Sequence, residues 1–166
     1  LASDVDDCLA FANALDIRGV SVTIPYKVDA LAASSSADAL TRRVGAANTL
    51  RRATDGRGWD ATNTDVGGFL DALRAVYPMN LSGTRVAVLG AGGAVRAVVA
   101  GLVDAGAEVT VFARRAEQAR QVVADCGGTV GEGTTPAAGS WDVLVNRSEE
   151  HTSELQSHLN LVCRLL

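Results

Sequence analysis

The sequence contains 166 residues, of which 48% are hydrophobic and 4% aromatic, and its 15 Lys plus Arg stand against 19 Asp plus Glu. This length can hold one ordinary domain or two small ones, and the apolar content is sufficient for a packed core. Because the charges are scattered and aromatic residues are few, the chain offers neither a basic face nor a stacking surface, and we expect no nucleic-acid partner.

Two further features bear on location and metal chemistry. The apolar run from Val86 to Val103 is interrupted by Arg96 and by glycines, so we expect no membrane helix. The cysteines lie far apart without metal-ligand spacing, which predicts free thiols, no metal site and a cytoplasmic location. They are Cys8, Cys126 and Cys163.

The amino-terminal part is predicted to begin with a helix, a strand and a second helix. Apolar residues at helical spacing predict the first helix over residues 3–15, with Ser3 as its cap. VSVTI, residues 20–24, predicts a short strand, because Pro25 cannot continue a central strand. Residues 27–34 then resume a helical pattern.

A pair of strands and a longer helix are predicted next. Residues 46–53 and 57–63 are separated by a turn that contains Asp55-Gly56, which favours antiparallel pairing. Residues 64–77 have the pattern of a helix. A domain boundary, or seam, at Leu81 to Gly83 would end this first unit.

Strands and helices alternate beyond the seam. Such alternation predicts a parallel sheet of the Rossmann type, so the fold class is α/β. The predicted order is a strand at 85–90, a helix at 94–106, a strand at 107–113, a helix at 114–127 and a strand at 141–146.

A glycine-rich turn joins the first strand and helix of this second unit. It consists of Gly90, Ala91, Gly92, Gly93 and Ala94. Glycines let a backbone approach a pyrophosphate closely, and a helix amino terminus presents N–H groups to its negative charge. We interpret the turn as a dinucleotide site; the sixth position of the GxGxxG pattern is Val95, and an ordinary structural loop is the alternative.

Arginines stand where an NAD-binding fold places a carboxylate, about twenty residues after the turn. The second strand ends at Ala113, which Arg114 and Arg115 follow. Two guanidinium groups suit a 2′-phosphate and therefore predict NADP as the cofactor. The alternative is that both are solvated charges at the start of a helix.

Lys27 is the only lysine among the 15 basic residues. An ammonium on a flexible stem can donate a hydrogen bond and release its proton, whereas a guanidinium retains its proton. Lys27 is therefore a candidate proton donor. The alternative is a surface lysine in the first turn of a helix.

Several motifs resemble the shikimate dehydrogenase family in order and spacing, over most of residues 15–146. They are VTIPYK at 22–27, GAANTL at 45–50, NTDVGGF at 63–69, VLGAGGA at 88–94 and DVLVN at 142–146. The resemblance implies NADP-dependent, reversible reduction of 3-dehydroshikimate to shikimate in aromatic amino acid biosynthesis. It also implies a substrate domain at 1–81 that lacks its amino terminus, followed by a truncated NADP-binding Rossmann domain at 82–146.

The resemblance also implies roles for individual residues. Lys27 and Asp65 correspond to the catalytic pair, while Thr23, Asn48 and Asp65 correspond to substrate ligands. The NADP contacts would come from Gly90 to Ala94 and from Ala113 to Gln118. Alternatives are a helix cap for Asp65, a relative that acts on quinate or an amino-substituted analogue, and a nucleotide-binding module without chemistry.

The sequence departs from the family pattern in several places. Ser21 stands where the family usually has Asn, and Val66 stands where Gly usually follows NTD. The chain begins at Leu1, without the family's carboxylate-binding serines, and lacks the later segments that line the nicotinamide and return to the first domain. We therefore expect a fragment with little or no turnover.

Residues 147–166 differ in composition from the preceding chain, because they contain neither Ala nor Gly and hold both histidines, His151 and His158. RSEEHTSELQSH resembles a translated sequencing adapter, so we expect a non-native tail. The alternative is an amphipathic helix with an apolar face. The two histidines imply no third ligand, so a metal site there is not expected. The apolar face of that helix would be Leu155, Leu159 and Val162.

Overall fold

The computed structural model describes residues 4–146 and the backbone of residues 160–163. The chain divides into two compact units, Leu1–Thr64 and Asp65–Leu166. This division lies well before the predicted seam at Leu81, because the helix that begins at Asp65 packs within the second unit.

The first unit is a four-stranded mixed sheet with three helices. Its helices are α1 (Val5–Ala14), α2 (Lys27–Ala32) and α3 (Ala39–Val44), and its strands are β1 (Gly19–Ser21), β2 (Ser36–Ala37), β3 (Thr49–Arg52) and β4 (Trp59–Thr62). The strand order is β1-β3-β4-β2, in which only the β2–β4 pair is parallel. The antiparallel pairing of β3 with β4 confirms the predicted pair of strands, while β2 and α3 were not predicted.

Carboxylates cap two of these helices. The backbone N–H of Asp7 donates to Asp4 Oδ1 at 2.9 Å, so Asp4 caps α1 in place of the predicted Ser3, which lies outside the described residues. Asp38 caps α3 by accepting from Thr41 N at 2.7 Å. Each cap satisfies a backbone donor that has no partner inside its own helix.

β1 is shorter than the predicted strand at residues 20–24. It ends at Ser21, although Val22 N still donates to Asn48 O at 2.8 Å. The chain then turns, with Tyr26 N donating to Thr23 O at 3.0 Å, so Thr23 lies in a loop and not in a strand.

The core of the first unit lies between the sheet and its helices. Leu50 and Ala61 are directly opposite in the β3–β4 register, and both are buried. They belong to one apolar cluster with Leu9 and Ala12 of α1. Packing of the sheet against this helix therefore fixes the loops at the ends of the strands.

The second unit is a five-stranded sheet with three helices. Its helices are α4 (Asp65–Val76), α5 (Gly93–Asp104) and α6 (Ala116–Cys126), and its strands are β5 (Arg85–Leu89), β6 (Glu108–Phe112), β7 (Thr129–Val130), β8 (Val143–Asn146) and β9 (Asn160–Cys163). The order is β7-β6-β5-β8-β9, with β5 to β8 parallel and β9 antiparallel to β8. The parallel sheet confirms the predicted Rossmann-type arrangement.

Residues 160–163 form a strand, because their backbone pairs with β8. The alternative of a tail helix that includes Val162 is therefore wrong for this segment. The remainder of that predicted helix and both histidines lie outside the described residues. Among the helices described in residues 4–146, none has the length and hydropathy required to cross a bilayer.

Helix α4 belongs to the second unit through a close approach to α5. A Cβ atom placed on Gly101 would lie 3.0 Å from Val66 Cγ1 and 3.4 Å from Leu70 Cγ. Only a residue without a side chain allows this separation unless Val66 and Leu70 shift. The contact explains why the units divide at residue 65.

Candidate substrate and nucleotide sites

Two main-chain hydrogen bonds in the first unit hold together the loops that carry Lys27 and Asn48. The N–H of Ala47 donates to the carbonyl of Lys27 at 2.8 Å, and the N–H of Val22 donates to the carbonyl of Asn48 at 2.8 Å. Thr23 follows Val22 directly. The fold therefore brings the segments of three predicted site residues to one end of the sheet.

The side chain of Asn48 is held by Thr64. Its Oδ1 accepts from Thr64 N at 2.9 Å, and its Nδ2 donates to Thr64 Oγ1 at 2.9 Å. The hydroxyl of Thr49 also donates to Asn48 Oδ1 at 3.2 Å. Asn48 thus joins the GAANTL and NTD segments of the sequence.

Asn63 anchors the NTD segment through buried contacts. Its side chain is buried, and its Nδ2 donates to Ala46 O at 2.8 Å. Its main-chain N–H donates to Thr41 Oγ1 at 2.9 Å, and this hydroxyl donates to Asp38 Oδ2 at 3.0 Å. A chain of polar contacts therefore fixes the residues that precede Asp65.

Lys27 and Asp65, the predicted catalytic pair, belong to different compact units. Lys27 is the first residue of α2 in the first unit and is half-buried. Asp65 is the first residue of α4 in the second unit and is also half-buried. A carboxylate in the first turn of a helix interacts favourably with the helix dipole.

The glycine-rich turn of the second unit has the form expected of a phosphate-binding turn. Gly90 has φ of +107°, a conformation that residues with side chains rarely adopt. Gly92 is the N-cap of α5, and a Cβ atom placed on Gly93 would have no neighbour within 4 Å. The first turn of α5 therefore has open space beside Gly93, and these residues fit a dinucleotide pyrophosphate.

The second strand of this unit brings the two arginines to the same edge of the sheet as the turn. Gly90 N donates to the carbonyl of Phe112, the last residue of β6, at 2.8 Å. Ala113, Arg114 and Arg115 follow, and both arginines are exposed. Because parallel strands end at one edge, the turn and the arginines lie on neighbouring connections.

Arg96 has a structural contact within this unit. Its Nη2 lies 2.9 Å from Asp125 Oδ2, which joins α5 to α6. Hydrogen bonds from Gln121 and then from Arg96 lower the pKa of Asp125 below its usual value. Asp125 therefore remains charged at neutral pH and holds the start of α5 against the carboxyl-terminal half of α6.

Asn63 and Thr64 were not singled out by the sequence, although both lie inside the NTD motif. Their partners are Ala46 and Asn48, seventeen and sixteen residues earlier in the chain. The available signal was the position of two hydrogen-bonding side chains at the start of a predicted helix.

Together, the mixed sheet of the first unit and the Rossmann-type sheet of the second define a two-unit α/β protein with a phosphate-type turn. Residues 2–50 match the family described as the shikimate dehydrogenase substrate binding domain. A shikimate dehydrogenase (NADP(+)) of Anaeromyxobacter dehalogenans is 41% identical over 126 residues, which cover 76% of this chain and 44% of the relative.

Solved structures agree with these sequence matches. The shikimate dehydrogenase of Aquifex aeolicus has a TM-score of 0.80 and 28% identity, covering 87% of this chain and 53% of that one. The Thermus thermophilus enzyme in complex with NADP(H) and shikimate has a TM-score of 0.71 and 31% identity, covering 88% and 54%. A quinate dehydrogenase of Corynebacterium glutamicum in complex with NAD has a TM-score of 0.75 and 26% identity, covering 87% and 54%.

The chain belongs to the shikimate dehydrogenase family. It spans about half the length of the curated relatives and solved structures that it matches.

Proposed function

We propose that this chain carries substrate- and cofactor-binding parts of an NADP-dependent shikimate dehydrogenase, which reversibly reduces 3-dehydroshikimate to shikimate in aromatic amino acid biosynthesis. The main support is the pair of 2.8 Å hydrogen bonds that hold the Lys27 and Asn48 loops together. A relative with 41% identity carries the same activity in its name.

In this proposal Lys27 and Asp65 act as a catalytic pair. Reduction of a ketone adds a hydride to carbon and a proton to oxygen, and bound NADPH would supply the hydride. The Lys27 ammonium would donate a hydrogen bond to the ketone oxygen and then its proton. Asp65 would orient the amine.

Thr23 and Asn48 would bind substrate hydroxyl groups beside Lys27. Thr23 is exposed in its loop, and Asn48 is half-buried and oriented by Thr64. An oriented amide discriminates a ring hydroxyl because it offers a donor and an acceptor in fixed places.

NADP would be held by Gly90 to Ala94 and by Ala113 to Arg115. The pyrophosphate would lie in front of α5, where Gly93 leaves open space. Arg114 and Arg115 would pair with the 2′-phosphate. A double substitution of these arginines by Gln should weaken NADPH binding at least about tenfold and leave NADH binding unchanged, whereas Arg120→Gln, in α6, should alter neither.

Binding is the appropriate test of this function, because the chain spans about half the length of its relatives. Calorimetric titration of the 166-residue chain should detect shikimate and NADPH, and Asn48→Ala should weaken shikimate alone. A folded chain that binds neither compound would contradict the proposal.

A relative that acts on quinate is the second candidate, since a quinate dehydrogenase shares the fold. That protein is in complex with NAD. Arg114 and Arg115 favour NADP instead. Competition between shikimate and quinate for the chain would decide between the two substrates.

We also propose a cytoplasmic location. Within residues 4–146, Cys8 and the buried Cys126 form no disulfide bond. Free thiols are typical of a reducing compartment. Fractionation of cells that produce the protein would test this proposal.

A further inference from the structure

Thr64 is exposed, yet it directs both its main-chain N–H and its hydroxyl toward Asn48. The N–H donates to Asn48 Oδ1 at 2.9 Å, and the hydroxyl oxygen accepts from Asn48 Nδ2 at 2.9 Å. The hydroxyl also lies 3.2 Å from Asn48 Oδ1, so two polar groups of one residue contact one carboxamide.

This arrangement fixes which way the carboxamide faces. The oxygen and nitrogen of Asn48 have nearly equal shapes, so their hydrogen-bond partners decide the orientation. The N–H of Thr64 can only donate, and it therefore selects Oδ1. The hydroxyl accepts from Nδ2 and also lies 3.2 Å from Oδ1, so it holds the amide in place without by itself distinguishing the two ends.

We propose that Thr64 is a positioning residue for substrate recognition. Its main-chain N–H sets which end of the Asn48 carboxamide is the acceptor, and its hydroxyl holds Nδ2, so that a substrate hydroxyl meets this amide in a fixed position. The recognition part rests on the proposed shikimate site, whereas the orientation of Asn48 can be measured without substrate.

Thr64→Val tests the role of the hydroxyl, because valine preserves the β-branched shape and the main-chain N–H. Thr64→Ser should restore the hydrogen bond. Thr62→Val is the matched control: Thr62 is exposed two residues earlier, and its main-chain carbonyl, which accepts from Asn48 N at 3.2 Å, is unaffected.

The first measurement is the Asn48 side-chain NH₂ signal in ¹⁵N-labelled chain, assigned by its loss in Asn48→Ala. We expect Thr64→Val to shift this signal toward that of a solvated amide and to speed its hydrogen exchange, while Thr64→Ser and Thr62→Val leave it near its parent position. An unchanged signal in Thr64→Val would overturn the inference.

The second measurement is the dissociation constant for shikimate. Loss of one neutral hydrogen bond predicts about fivefold weaker binding to Thr64→Val, with the other two variants within about twofold of the parent. A shifted amide signal with unchanged affinity would overturn the recognition role. Absence of shikimate binding to the parent chain would instead refute the proposed function, and with it that role.

Discussion

The main-chain N–H of Ala47 donates a 2.8 Å hydrogen bond to the carbonyl of Lys27. This bond fixes the first residue of α2 against the loop that continues to Asn48. A catalytic lysine needs such a rigid base, because its four-carbon stem is flexible. The loop contact thus holds the backbone from which the Lys27 side chain extends.

The single lysine allows a direct test of the proposed substrate site. Chain labelled with ¹³C,¹⁵N-lysine should give one side-chain signal, and addition of shikimate should shift it, because the amine would donate a hydrogen bond to the substrate. The variant Arg57→Lys provides an internal control, since Arg57 is exposed in the turn between β3 and β4. Its new signal should not move. Equal movement of both signals would indicate a nonspecific effect.

The secondary structure of the second unit could be predicted because its strands and helices are long and its periodicity is clear. The strand β5 (Arg85–Leu89) and the helix α5 that follows Gly92 are examples. The two-residue strands β2 and β7 were missed, because so short a segment has no measurable alternation.

The polar contacts of the first unit could not be predicted in the same way. Asn63 and Ala46 are seventeen residues apart, and their hydrogen bond exists only after β3 and β4 have paired. The resemblance identified the NTD motif as a unit, but Asn63 is buried and supports the fold, whereas Thr64 is exposed. Two neighbouring residues of one motif therefore have different environments, and the difference is visible only in the tertiary structure.

Removal of the Asn63 side chain should destabilise the first unit. Asn63→Ala leaves the carbonyl of Ala46 without this 2.8 Å donor, at a cost of about 1–3 kcal/mol. Asn80→Ala is the control, since Asn80 is exposed and accepts from Ser82 N within a turn.

Urea unfolding followed by tryptophan fluorescence would measure this loss. In a Trp141→Phe background the signal comes from Trp59, which is 3% exposed in the core of the first unit. The transition should move to lower urea for Asn63→Ala. Coincident transitions for Asn63→Ala and Asn80→Ala would contradict a structural role for Asn63.

The open space at Gly93 predicts a separation of folding from cofactor binding. Gly93→Ala places a methyl group where it meets no atom within 4 Å beyond its chain neighbours and its own helix backbone, so the fold should be retained. The same methyl group would occupy the approach of a pyrophosphate to α5, and NADPH affinity should fall at least about tenfold.

Gly68→Ala is the matched control for this change. Gly68 also lies in a helix with no neighbour within 4 Å of an added Cβ, but in α4. Both variants should unfold at or slightly above the parent temperature, because alanine favours helix over glycine. If Gly68→Ala weakened NADPH binding as much as Gly93→Ala, the glycine turn would lose its assigned role.

The pairing of Arg85 with Asp142 predicts a pH dependence of stability in the second unit. Arg85 Nη2 lies 2.6 Å from Asp142 Oδ1, and Arg85 N donates to Asp142 Oδ2 at 3.0 Å. The side-chain hydrogen bond from Arg85 and then the backbone one lower the pKa of Asp142 in the folded state. The unfolded chain should have the ordinary value of about 3.9.

A carboxyl group whose pKa is lower in the folded state than in the unfolded state stabilises the fold. This stabilisation is complete at pH values above the unfolded-state pKa, and it is lost as the pH falls through the folded-state pKa. Asp142→Asn should therefore be less stable than the parent at pH 7, and this difference should shrink below about pH 4. Amide signals of Val143 and Val145 in β8 would report the unfolding of this unit, with Asp71→Asn on the exposed face of α4 as the control for charge removal. The stability difference between the parent and Asp142→Asn could instead stay constant from pH 7 to pH 3. This outcome would mean that the Arg85 contact does not contribute to stability, because a charge-dependent bond must weaken when its carboxylate is protonated.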